Sequence, residues 1–175
     1  MESIARSQHI TPFLWFDHEA EDAAKFYCSI FKNAKITDVT RYGDAGPGED
    51  GQVMTVVFEI DGLEFVGLNG GRRSPDGSPL GSEFDLAATS AVSFVVTCDT
   101  QADVDHLWDA LTAGGRSMQC GWLKDKFGVT WQVVPAGFID VIKDPDPERS
   151  QRGMRAMMEM EKLDINALRE AVASD

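Results

Sequence analysis

Apolar positions along the chain fall into two matching series. Ile10 to Phe16 is a short apolar and aromatic run suited to a buried strand. Phe26, Tyr27 and Ile30 then recur at helical spacing, which predicts a helix over 19–31 with Asp17 as its N-cap. Lys35 to Tyr42 and Val53 to Ile60, rich in Thr, Val and Ile, predict two strands. The Asp61-Gly62 dipeptide predicts a tight hairpin into a fourth strand at Leu63 to Leu68. The series then restarts. Ala91 to Cys98 reads as a strand, Leu107, Trp108 and Leu111 mark a helix from Gln101 to Thr112 closed by Gly114-Gly115, and strands follow at Met118 to Leu123 and Val129 to Val134. Asp17 and Asp99 lie 82 positions apart (99 − 17), and Phe26 and Leu107 lie 81 apart (107 − 26). The register therefore slips by one between strand and helix. A repeat of this length is a duplicated half-domain rather than a solenoid unit, and two such halves are expected to face each other across a cleft in which function resides.

Between the halves, Gly70-Gly71, Ser74-Pro75-Asp76-Gly77 and Ser78-Pro79 punctuate a linker over 72–90. The expected organisation is one domain over 1–137, with a first module at about 10–71 and a second at about 91–137, followed by a helical extension over 138–175. In that extension Pro145 and Pro147 mark a boundary. Met154, Met157, Met158 and Glu161 follow helical spacing, as expected of packing on the same domain or on a partner subunit, and Asp164 opens a last helix through Ala171.

Composition narrows the function classes. A net charge of −13 without a basic stripe repels nucleic acid and anionic lipid. No apolar run approaches the roughly 20 residues that cross a bilayer, and the first residues lack a secretion-signal pattern, so a cytoplasmic location without membrane contact is expected. Cys28, Cys98 and Cys120, odd in number and widely spaced, read as reduced thiols. His9, His18 and His106 form no metal-ligand spacing and read as surface residues. Gly46-Pro47-Gly48-Glu49-Asp50-Gly51 matches G-x-G-x-x-G, but a strand rather than a helix follows it and its acids repel phosphate. It reads as a loop that binds no nucleotide, and no other glycine turn suits S-adenosylmethionine.

The string from Cys120 to Pro135, with Asp125-Lys126-Phe127-Gly128 at its centre, resembles the ending of the vicinal oxygen chelate superfamily, the glyoxalase, bleomycin-resistance and dioxygenase group. Leu14-Trp15-Phe16-Asp17, Ala23-Ala24-Lys25-Phe26-Tyr27, Arg41-Tyr42-Gly43, Leu68-Asn69-Gly70-Gly71 and Met160 to Ile165 resemble its PhnB-like, demethylubiquinone methyltransferase-like branch. The resemblance implies an α+β fold of two βαβββ modules with curled mixed sheets forming a cup, in a homodimer. Metal-dependent members take ligands from the opening and closing strands of each module. The corresponding residues here are Thr11 and Ser93 on the opening strands and Gln132 on the last. The fourth position falls among Phe65, Val66 and Gly67, none of them a ligand.

Two hydroxyls and a neutral amide are poor divalent-cation ligands, so no metal or other cofactor is expected. The expectation is a small organic molecule bound in an aromatic-lined cup. Its contacts are Thr11, Phe13 and Trp15 on one strand face, Ser93 and Gln132 on others, and Asn69 and Trp122 from the phrases that carry the resemblance. The alternatives are a metal-dependent lyase, isomerase or dioxygenase, with Glu59, Glu64 or Asp125 as a candidate base, and a methyltransferase as the branch label implies.

Overall fold

The computed structural model describes residues 11–43, 48–72, 78–81, 85–88 and 91–173. His9, Ile10, Gly46, Pro47 and the Ser74-Pro75-Asp76-Gly77 turn lie outside them. Two compact units divide the chain, Met1–Ala88 and Thr89–Asp175.

The first unit runs β1 (Phe13–Phe16), α1 (Ala20–Ile30), β2 (Ala34–Arg41), β3 (Val53–Ile60) and β4 (Leu63–Asn69), in a sheet ordered β1-β4-β3-β2. β1 and β4 are parallel and the other pairs antiparallel. Strand alternation sorts the side chains. Leu14, Phe16, Val56, Phe58, Ile60 and Phe65 are buried on the α1 side, where the Tyr27, Phe58 and Phe65 rings stack at 5.7 and 5.3 Å. Gly67 lets the helix approach, since a Cβ there would sit 3.2 Å from the Ala20 Cβ. The hairpin takes the expected form, with Asp61 at φ +48° and Gly62 at +78°, the two left-handed positions of a type I′ turn.

The second unit repeats the order: β5 (Phe94–Cys98), α2 (Gln101–Thr112), β6 (Arg116–Ser117), β7 (Trp122–Lys124) and β8 (Thr130–Pro135), in a sheet ordered β5-β8-β7-β6. The fold is therefore α+β, with two βαβββ modules, each a four-stranded mixed sheet. Parallel pairing aligns Phe13 with Val66 in one module and Val95 with Gln132 in the other. Phe13 and Val95 are again 82 positions apart (95 − 13), so the repeat in the sequence is a repeat in strand register.

Two local expectations are corrected. Asp17 does not cap α1: the N-cap position is Glu19, which makes no side-chain cap, and the Ala20 N–H donates instead to Asn69 Oδ1 at 2.8 Å, a cap delivered by β4 from 49 residues away. In α2, by contrast, Thr100 caps locally by accepting from the Asp103 N–H. Of the strand expected over Met118 to Leu123 only Trp122 and Leu123 are extended, in β7; β6 ends before it, and a turn with Cys120 at φ +63° and Gly121 at +80° takes its place. The cause is tertiary. Cys120 and Gly121 N–H groups donate to the Met160 and Glu161 carbonyls of the C-terminal segment, which takes the backbone bonds a continuous strand would have used.

The extension folds as α3 (Phe138–Ile142), which the sequence pattern did not predict, α4 (Pro147–Met158) and α5 (Ile165–Ala173), starting one residue after Asp164. Asp146 caps α4 with Pro147 at its first turn, and Asp164 accepts from the Asn166 and Ala167 N–H groups. Met157 and Met160 pack on a core of Val141, Leu168 and Val172 within this unit, while Met154 and Met158 are exposed. The Gln101 side chain fastens the segment to α2, donating to the Leu163 carbonyl at 3.1 Å and accepting from the Ile165 N–H at 3.0 Å.

Candidate functional site

The face opposite the buried one is partly open in each sheet; in the second, Val95 and Thr97 are exposed and Gln132 and Trp122 half-buried, while Lys124, Thr130 and Val134 on the same face are buried. In the first unit that face carries Phe13 and Trp15 on β1, Val66 and Leu68 on β4, and Thr55 and Val57 on β3. Phe13 is 58% exposed and, in the second unit, Val95 is 59% exposed. Neither side chain is buried in the core of its own unit. Thr11 is half-buried and precedes β1 rather than lying within it.

Where the parallel strands β1 and β4 end, an open cleft of about 1240 Å³ lies within the first unit, lined by Trp15, Tyr42, Leu68, Asn69 and Arg72 among others. Its walls are fixed by backbone. The Trp15 indole N–H donates to the Gly71 carbonyl at 2.9 Å, and the Tyr42 hydroxyl donates to the Asn69 carbonyl at 2.7 Å. Each ring lies against a glycine, since any side chain at Gly70 would overlap Trp15 and any at Gly48 would overlap Tyr42. Gly48 thus serves ring packing, and β3 follows its loop, as the sequence argued against a nucleotide fingerprint. Asn69 lines the cleft, but its side-chain amide is used internally, capping α1 and donating to the Val53 carbonyl at 3.1 Å.

The cleft rim is acidic. Asp17 faces Arg72 at 3.4 Å and His18 at 3.5 Å, and a hydrogen bond from Lys25 holds the Glu21 carboxyl below its usual value. Tyr42, Gly48, Gly70 and Arg72 were not expected in the site from sequence. The Arg41-Tyr42-Gly43 and Leu68-Asn69-Gly70-Gly71 phrases carried the signal, but the Trp15–Gly70 contact joins positions 55 apart in the chain (70 − 15).

On the partly open face of the second sheet, one row of directly paired residues runs Val95, Gln132, Trp122 across β5, β8 and β7. Gln132 is half-buried, and its Nε2 donates to Ser93 Oγ at 2.8 Å. Ser93, Gln132 and Trp122, three of the expected site residues, are brought together here. Thr11, Phe13, Trp15 and Asn69 belong to the first unit. The paired registers also settle the fourth position: the residue matching Gln132 in the first module is Val66, an apolar side chain on the open face, while Phe65 and Gly67 face α1.

The candidate bases are placed elsewhere. Glu59 and Glu64 face each other across the β3–β4 hairpin, with Lys35 3.8 Å from Glu59. Asp125 is buried, and its carboxylate accepts from the Phe127 and Val129 N–H groups at 2.9 and 3.0 Å and from the Trp131 indole at 2.9 Å. Its oxygens hold a turn. Among the described residues no group of three or more His, Cys, Asp or Glu side chains is placed to hold a metal, and no helix is long and apolar enough to cross a membrane. Cys28, Cys98 and Cys120 are thiols in no disulfide, and burial pushes the Cys28 thiol up.

Comparison with known proteins places this geometry in a family. Residues 8–134 match the family model described as 3-demethylubiquinone-9 3-methyltransferase. The solved PhnB protein from Bacillus cereus is 32% identical, with a TM-score of 0.62 over 74% of this chain and 100% of its own. A protein from Pseudomonas aeruginosa shares the fold at 20% identity and a TM-score of 0.57, over 74% of this chain and 98% of its own. A fosfomycin resistance protein from Listeria monocytogenes is 13% identical over 82% of this chain and 94% of its own, with a TM-score of 0.45. No curated protein matches. The chain belongs to the PhnB-like family described as 3-demethylubiquinone-9 3-methyltransferase.

Proposed function

We propose that this protein is a cytoplasmic, homodimeric binder of a small organic molecule, in the manner of the glyoxalase and bleomycin-resistance group, and that it works without a divalent metal. The observation that carries the reading is the Gln132–Ser93 hydrogen bond set beside Val95 and Trp122 on a partly open sheet face. An exposed valine and a half-buried indole around one polar pair are what a ligand site offers: surface for burial and a few groups that fix orientation. The four positions where metal-dependent relatives place ligands hold Thr11, Val66, Ser93 and Gln132. Val66 has no donor atom, and two hydroxyls with one neutral amide suit hydrogen bonding better than coordination. The described part of the glycine loop leads into β3 and packs on Tyr42, which is not the strand-to-helix turn that cradles a nucleotide-type cofactor.

Native mass spectrometry and metal analysis of protein purified without a histidine tag test this directly. A carried organic ligand is expected, and Gln132→Leu should lose it while costing little stability. Stoichiometric zinc, nickel or iron in the parent, absent from Gln132→Leu, would return the chain to the metal-dependent enzymes. Exposed Ile139, Met154 and Met158 support the dimer. Sedimentation at micromolar concentration should show a dimer, and a monodisperse monomer overturns that part.

A further inference from the structure

We infer that the Ser93–Gln132 pair selects a ligand bearing a hydrogen-bond donor and an acceptor side by side, an amide-type group (primary carboxamide or lactam) on a planar apolar ring; the assignment rests on the binding reading above. The bond between the two side chains, at 2.8 Å, consumes one amide proton and one hydroxyl lone pair. What remains is complementary: the Gln132 carbonyl oxygen still accepts, and the Ser93 hydroxyl proton is still available to donate. Rotating the amide by half a turn exchanges the roles without changing the total. Ser93 then donates to the Gln132 carbonyl, leaving the amide N–H groups as donors and the Ser93 oxygen as acceptor. In both arrangements the pair keeps at least one free donor and one free acceptor on neighbouring atoms. A ketone or ester supplies acceptors only and leaves the pair's free acceptor, on Gln132 or on Ser93 according to the amide orientation, without a donor from the ligand.

Charge and shape narrow the class further. The pair is neutral and the chain carries a net charge of −13, so an ionised carboxylate, which accepts but does not donate, is disfavoured both locally and by the overall field. Val95 and Trp122 flank Gln132 on the same row. Neighbouring strands lie about 4.8 Å apart, so the platform spans about 10 Å, the width of a single ring with its substituent. An indole on one side and a Val95 side chain 59% exposed on the other give that ring apolar contact.

Benzamide and acetophenone, alike in size and differing in an NH₂ for a CH₃, separate the possibilities when titrated into the full-length protein and followed by NMR. Benzamide should bind about five-fold more tightly than acetophenone, as one neutral hydrogen bond predicts. It should also shift the Gln132 side-chain amide resonances, and benzoate should bind no better than acetophenone. Ser93→Ala and Gln132→Leu, both checked for native circular dichroism, should each remove the preference. Equal binding of benzamide and acetophenone, or a preference that survives in both variants, overturns the amide class and leaves small-molecule binding standing. Absence of any shift at Val95, Trp122 or Gln132 with all three probes at millimolar concentration overturns both.

Discussion

Replacing Leu163 by alanine should destabilise the second unit by about 3 kcal/mol or more, among the larger effects available to a single substitution in this chain. Leu163 is fully buried, although it lies in a segment between helices that looks peripheral in sequence. The reason is the latch around it. Gln101 holds the Leu163 carbonyl and the Ile165 N–H, and the β6–β7 turn donates to the Met160 and Glu161 carbonyls, so the backbone cannot move to fill a cavity. Restricted relaxation is what places a leucine-to-alanine change at the costly end of its range. For a chain of this length the loss corresponds to a fall of about 6–12 °C in melting temperature. Trp108, Trp122 and Trp131 all report on this unit, which makes tryptophan fluorescence during urea unfolding a suitable readout. Lys162→Ala is the control. Its ion pair with Asp105, at 2.9 Å, is largely exposed, so the change should stay under about 1 kcal/mol. A Leu163→Ala midpoint equal to that of Lys162→Ala would refute the latch. Deleting residues 145–175 should for the same reason unfold the second unit rather than only dissociate a dimer.

Asp125→Ala is the second large effect, about 3 kcal/mol or more, through unsatisfied donors rather than a cavity. Three N–H groups converge on this buried carboxylate, from Phe127, Val129 and the Trp131 indole. Each donor left without an acceptor costs about 1–3 kcal/mol. The turn they stabilise also needs Gly128 at φ +86° and joins β7 to β8, so it sets the register that aligns Trp122 with Gln132. Asp125→Asn should be intermediate: one oxygen still serves the two backbone N–H groups, while the new NH₂ opposes the indole N–H. Near-ultraviolet circular dichroism of Trp131 and the denaturation midpoint should fall together, in the order parent, Asn, Ala. Unchanged midpoints in both variants would show that solvent satisfies these donors and that the turn is not held by Asp125.

The candidate site was legible in part. Strand alternation put Phe13, Trp15, Ser93 and Gln132 on the open faces because side-chain direction in a strand depends only on counting by two. Their bonding could not be read in that way. Ser93 and Gln132 are 39 positions apart, and their hydrogen bond exists because β5 and β8 run parallel in one particular register. That Val66, and neither Phe65 nor Gly67, matches Gln132 follows from the same pairing. Asp125 looked like a possible base in sequence because an unpaired carboxylate and a turn-holding one are written with the same letter.

Short-range sequence specified the βαβββ order of the first module, the return of its strand and helix in the second, the β3–β4 hairpin, α2 with its terminal glycines, and the start of α5 at Asp164. All of these depend on residues within a few positions of one another, where periodicity, backbone preference and local hydrogen bonding decide the outcome. Tertiary structure alone decided the cap of α1, supplied by Asn69 in place of Asp17, the break between β6 and β7, and the pairing of Tyr42 with Gly48 and Trp15 with Gly70. In each of these a backbone group or ring was satisfied by a partner that became adjacent only after strands paired or the C-terminal segment docked. A buried polar group must be paired, but which group pairs with it is fixed by the fold that brings the two together.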